Sequence, residues 1–226
     1  MENHFDQGLD ELRQKLLRMG GRAEAAVNDA VQALMQRNHN LAIKARADDD
    51  NIDQLEKEID ELAIQLLTRA PLASNLRLIT VAMKVCQNLE RIGDEATKIA
   101  KRACDLSGEP PVKLTLDLPR LAGMALTMVK DALDAFVQRD SAAARAIIPR
   151  DKQVDALNRE MHAALTQHMM EHPDTISRCL DWIVAAKSLE RIADHAKNIA
   201  EEVVYLCEAQ DIRHNAKTPA AAPVHQ

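Results

Sequence analysis

The chain is 226 residues long, 46% hydrophobic, 28% charged and only 2% aromatic, with six Gly. That mixture suits helices and not sheets, which draw on aromatic and β-branched residues. A formal net charge of −6 argues against a dedicated nucleic-acid binder. No apolar run approaches the roughly 20 residues that span a bilayer. The N-terminus, MENHFDQGLDELRQ, carries acids where a secretory signal carries basic and then apolar residues, so a cytoplasmic protein is expected.

Helical periodicity predicts six long helices. The first covers about Phe5–Arg37, with Gly20-Gly21 expected to bend or loosen it. Asn38-His39-Asn40 interrupts and offers caps for a second helix near Leu41–Arg69. Pro71 and Ser74 separate that from a third, about Ser74–Leu106. The stretch Ser107-Gly108-Glu109-Pro110-Pro111 is the clearest linker, because tandem Pro stops a helix. A fourth helix, near Leu118–Arg139, follows Asp117, and Asp140-Ser141 caps a fifth that runs to about Met170 with a kink at Pro149. His172-Pro173-Asp174 makes the next turn, a sixth helix runs to about Ala209, and the stretch from Arg213 reads as a disordered tail. Cys86, Cys104, Cys179 and Cys207 form no CxxC pair and read as buried, reduced thiols.

The second half replays the first. LERIGDEATKIA from Leu89 returns as LERIADHAKNIA from Leu189, eight of twelve letters kept at an offset of one hundred. Ala30, Ala33, Gln36 and Arg37 likewise match Ala132, Ala135, Gln138 and Arg139, and Ile52-Asp53-Gln54-Leu55 matches Val154-Asp155-Ala156-Leu157. A period of that length means one structural unit built twice. The expected fold is all-α, two tandem three-helix bundles related by duplication. The first repeat is residues 1–106, the linker 107–116, the second repeat 117–210 and the tail 211–226.

Among the kept letters are acids that packing does not ask for. Leu89, Ile92, Ala96, Ile99 and Ala103 step by three and four and form a buried seam. Glu90 and Asp94 are four apart, stacked on one flank of it, and Glu190 and Asp194 repeat them. The second helix carries a matching row, Asp49, Asp53, Glu56 and Asp60, aligned with Asp151, Asp155, Asn158 and His162. Each half thus offers two facing acid pairs. Like carboxylates at this spacing repel by a few tenths of a kcal/mol on an exposed helix, so a compensating charge is called for. A hard cation such as Mg²⁺, Mn²⁺ or iron is one answer, and Arg91, Lys98, Lys101 and Lys57 are another.

Other chemistries lack their residues. No Glu has a His three positions later, as di-iron bundle enzymes require. Clustered Cys and His for zinc, a Gly-rich phosphate loop and a nucleophile elbow are all missing. His195 stands alone on its helix and reads as structural, since the first repeat has Glu95 there.

With Glu90-Arg-Ile-Gly-Asp94 and Glu190-Arg-Ile-Ala-Asp194 placed on the third helix of each half, the chain closely resembles the PhoU family of phosphate-uptake regulators. Asp49-Asp-Asn-Ile-Asp53 and Asp151-Lys-Gln-Val-Asp155 lie on the partner helices, and the resemblance spans residues 5–210. It implies a non-enzymatic negative regulator of the phosphate-starvation response, acting between the ATPase of a phosphate ABC transporter and a sensor histidine kinase. It also implies homodimerisation and metal binding (Mg, Mn or Fe) through Asp49, Asp53, Glu90, Asp94, Asp151, Asp155, Glu190 and Asp194. Two departures from the pattern stand in the second half: Ala193 replaces the Gly of the first motif, and Pro149 lies just ahead of Asp151. The competing reading is a purely structural helical interaction module whose acids only tune charge.

Overall fold

A computed structural model describes residues 2–70, 72–114 and 116–213; the rest of the expected tail, residues 214–226, lies outside them. Among the described residues there is no strand. The helices are α1 (Glu2–Gln36), α2 (His39–Ala47), α3 (Asp49–Leu67), α4 (Ala73–Ser107), α5 (Leu118–Gln138), α6 (Ser141–Ile147), α7 (Asp151–Glu171) and α8 (Ile176–Glu208). The fold is all-α, two three-helix repeats in tandem, with the middle helix of each repeat broken into a short and a long piece.

The first of those breaks corrects the sequence reading, and the second is the kink expected at Pro149. The expected second helix stops at Ala47 and restarts at Asp49. Asp48-Asp49-Asp50 supplies the cause: Asp is a poor interior helix residue and a good one in a first turn, where it meets the positive end of the helix dipole. In the second half Ile148–Arg150, with Pro149, forms one 3-10 turn between α6 and α7. Each short helix opens on the cap foreseen from sequence. Asn38 Oδ1 accepts from the Leu41 N–H at 3.1 Å, and Asp140 Oδ1 accepts from the Ala143 N–H at 2.9 Å. Just before those caps, Arg37 and Arg139 both take the left-handed conformation, at φ 54° and 53°, so even the turn geometry is duplicated.

Gly20-Gly21 does not interrupt α1. Gly20 is used for close approach instead: a Cβ there would stand 2.3 Å from Leu133 Cδ1 of α5. The first helix of one repeat therefore nests against the first helix of the other. The third helices pair as well. Arg102 Nη1 lies 2.9 Å from Asp181 Oδ1 near one end of the pair, Arg191 Nη1 3.3 Å from Glu95 Oε1 at mid-length, and Lys84 Nζ 3.0 Å from Glu202 Oε2 near the other end. Those partners run in opposite directions along the chain, so α4 and α8 are antiparallel. One apolar core extends through both halves, from Phe5 and Leu9 on α1 to Val203 and Leu206 on α8.

Two smaller expectations are corrected. Of the four thiols, Cys86 and Cys179 are buried but Cys207 is exposed, its Sγ 3.2 Å from the Arg139 carbonyl. Residues 211–213, assigned to the tail, are held in place: Ile212 packs on the core, and Arg213 Nη1 lies 2.7 Å from the buried Glu202.

Candidate metal centres

The helix breaks decide where the acids sit. Asp49 is the first residue of α3 and Asp151 the first of α7, so each leads its helix. Asp53 and Asp155 follow one turn later, and Glu90–Asp94 and Glu190–Asp194 lie near the middle of the long helices α4 and α8. Close packing of α3 on α4 sets the first group. A Cβ on Gly93 would be 2.8 Å from Ile52 Cδ1 and 3.4 Å from Asp49 Oδ1, so this glycine lets Ile52 close on the α4 backbone, with the Asp49 carboxylate beside it. The second half holds Ala193 at that place and the smaller Val154 where the first has Ile52, a matched exchange of volume across the same helix pair.

The charges of the first group are in conflict. Partial burial, then Asp53 and Asp94, pushes the Asp49 carboxyl above the usual carboxylate range, against a hydrogen bond from the Thr97 hydroxyl. Burial, then Asp94, raises Glu90, with Glu56 and Asp53 adding to it. Glu56 is raised by burial and by Asp60 and Asp53. The cation paired with these acids among the described residues is Arg91, with Nε 3.3 Å from Glu90 and Nη1 3.7 Å from Asp94. Lys98 spends its charge elsewhere, 2.8 Å from Glu95.

The second group is better neutralised. Lys197 Nζ lies 2.7 Å from Asp151 Oδ2, and Lys187 Nζ 2.5 Å from Glu190 Oε2. Asp194 is raised by burial, then by Asp151 and Glu190. One carboxylate oxygen here, Asp151 Oδ1, is sealed from solvent without a hydrogen-bond partner, while Glu190 Oε2 has only the Lys187 ammonium. An unpaired buried acceptor of this kind costs about 1–3 kcal/mol. A hard cation would satisfy it, and an all-oxygen donor set matches Mg²⁺, Mn²⁺ or iron. Among the described residues, however, no three His, Cys, Asp or Glu side chains converge tightly enough to hold an ion as they stand. The acids are gathered in two groups of four but not drawn to a point.

A family model, the PhoU domain, matches residues 16–103 and again 118–203. The chain belongs to the PhoU family. A relative from Pseudomonas putida, described as a phosphate-specific transport system accessory protein PhoU homolog, is 44% identical over 95% of this chain and 84% of its own length. Of solved structures, PhoU from Pseudomonas aeruginosa matches with a TM-score of 0.88 at 43% identity, covering 91% of this chain and 100% of that one. The phosphate transport system regulatory protein PhoU from Streptococcus pneumoniae matches at 0.85 and 28%, covering 92% and 99%. Both PhoU matches to the family model lie within one repeat each, and each takes in both acid motifs of its half.

Sequence reasoning passed over the polar seam of this PhoU fold. Glu95 of α4 is buried, and burial alone would raise its carboxyl; Lys98, the Ser188 hydroxyl and Arg191 outweigh that and hold it below its ordinary value. His195, at the matching position of α8, has its Nδ1 3.0 Å from Asn88 Oδ1, and burial keeps it toward the neutral form. Arg91, Glu95, Lys98, Arg191, Asp194 and His195 line an open cleft of about 430 Å³ between the two acidic groups. The signal was available: Glu95 and His195 are the same position in two repeats, and a difference inside a kept motif marks where the halves meet.

Proposed function

We propose that the chain is a metal-binding, non-enzymatic regulator of phosphate uptake and homeostasis. It acts in the cytoplasm as a homodimer and restrains the phosphate-starvation response by linking a phosphate ABC transporter, through its ATPase, to a sensor histidine kinase. What supports this is membership of the PhoU family, together with relatives named as accessory proteins of phosphate-specific transport. No helix among the described residues is long and apolar enough to cross a membrane, which suits a protein that meets its transporter from outside the bilayer.

The observation that carries the metal reading is the unbalanced first group. Asp49, Glu56 and Glu90 are all pushed up, first by burial and then by neighbouring carboxylates, and Arg91 is the cation that opposes this at Glu56 and Glu90. Asp49, Asp53, Glu90 and Asp94 would hold an ion there, and Asp151, Asp155, Glu190 and Asp194 in the second half. The ion would supply positive charge that the chain lacks, drawing α3 toward α4 and α7 toward α8. Affinity capture from phosphate-replete and phosphate-starved cells, with and without chelator, tests the whole reading. Recovery of the transporter ATPase or the kinase, lost on chelation and in a Glu90→Ala/Asp94→Ala variant of unchanged helicity, is the expected result. Chelator-insensitive capture with no bound metal by elemental analysis would favour the purely structural module.

A further inference from the structure

Away from the acids, the end of α7 carries two imidazoles that neither the fold nor the acidic groups use. His168 lies in the last turn of α7 and His172 is the residue that ends it, turned out of the helical conformation at φ −133° and ψ 76°, and the two rings meet at that end. Their centroids are 4.7 Å apart and the planes are tilted by 49°, so the rings are not stacked flat. His168 Nε2 is sealed from solvent and has no hydrogen-bond partner, whereas His172 is exposed. The pair borders an open cavity of about 320 Å³ with Asp174 on its rim.

We propose that His168 and His172 form a two-imidazole site for a borderline transition-metal ion, Zn²⁺ in the first instance. An ion about 2.1 Å from one nitrogen of each ring lies about 3.2 Å from each centroid, so two rings gripping it at roughly 90–110° have centroids about 4.5–5.2 Å apart. The observed separation falls within that span. The ion completes the coordination that His168 Nε2 lacks, water fills the open positions, and the carbonyl end of α7 favours a cation there. Imidazole donors select Zn²⁺, Cu²⁺ and Ni²⁺ over the hard cations suited to the carboxylate groups, so the site is chemically separate from them. Two positive side chains share the cavity. Arg178 is already engaged, by Asp174 and by the carbonyls of Pro110 and Asp174, and Lys113 is the remaining one.

The test is calorimetric titration of Zn²⁺ into the full chain and into a His168→Gln/His172→Gln variant, both in excess Mg²⁺ to occupy the carboxylates. The wild type is expected to take up one equivalent more than the variant, with the histidine Cε1–H resonances of both rings shifting together. Equal uptake by the two proteins, or a shift confined to one ring, overturns the proposal. Should the double variant lose its helicity, His172→Gln alone suffices, since that side chain is exposed; it must weaken the tight equivalent at least tenfold, and unchanged affinity refutes the site.

Discussion

At the scale of single residues, the acid motif divides by task. Leu89, Ile92, Leu189 and Ile192 are fully buried and account for the fold, whereas Glu90 sits where its own charge is unwelcome. Relieving that repulsion should therefore strengthen the metal-free protein. Glu90→Gln is expected to stabilise the apo form by a few tenths to about 1 kcal/mol in chemical denaturation, and to abolish any rise in melting temperature on adding Mn²⁺. A Glu90→Gln protein that is both less stable and equally responsive to Mn²⁺ would remove Glu90 from the site. The motif was legible as a pair of acids on one flank. What the spacing could not show was Asp49 at a helix start, because an uninterrupted 3.6-residue period hides a break that Asp48-Asp49-Asp50 produces without Pro or Gly.

At the scale of helices, the two repeats solve one packing problem with different volumes. In the first, Gly93 admits Ile52; in the second, Ala193 stands with Val154. This accounts for the departure at Ala193 as a matter of packing between a helix pair, independent of what the acids bind. It also sets up a double-mutant cycle. In an Ile52→Val background the atom nearest the added methyl is gone, so Gly93→Ala should stabilise by about 0.5–1 kcal/mol through helix propensity. In the wild-type background, overpacking against Ile52 Cδ1 should offset that gain. A coupling of at least about 0.5 kcal/mol between the two sites is the expected readout, and strict additivity would show that α3 simply shifts aside. The helices themselves were readable from periodicity almost to the residue. The role of Gly20 was not, because its reason lies in Leu133, more than a hundred positions away.

At the scale of the molecule, the acids make stability depend on pH in an unusual direction. Asp49, Glu56, Glu90 and Asp194 all have carboxyl pKa values above the ordinary range. A carboxyl raised in the folded state favours folding when protonated, and that contribution is lost as pH rises through the folded value. In a His195→Gln background, which removes the opposing effect of an imidazole that burial holds neutral, metal-free protein should accordingly melt at a higher temperature near pH 5 than at pH 7.5, until further acidification protonates Glu95, which is held low by its partners and stabilises only while ionised. Saturating Mn²⁺ at pH 7.5 should remove most of that difference, since an ion that binds only the folded state at 100 times its dissociation constant adds about 2.7 kcal/mol. A flat profile between pH 5 and 7.5 in chelator would contradict the crowding of charge described for the two groups.

The antiparallel pairing of α4 with α8 has a further consequence. It sets equivalent positions of the two repeats across a common axis, as a symmetric dimer of one repeat would. In such a dimer position 95 would be the same residue on both sides, and the seam would carry two buried glutamates. Joined in a single chain, the two sides are free to differ. Glu95 keeps Lys98 and Arg191, while His195 turns to Asn88. Covalent fusion thus replaced a forced identity with complementarity, at the place where the two halves meet.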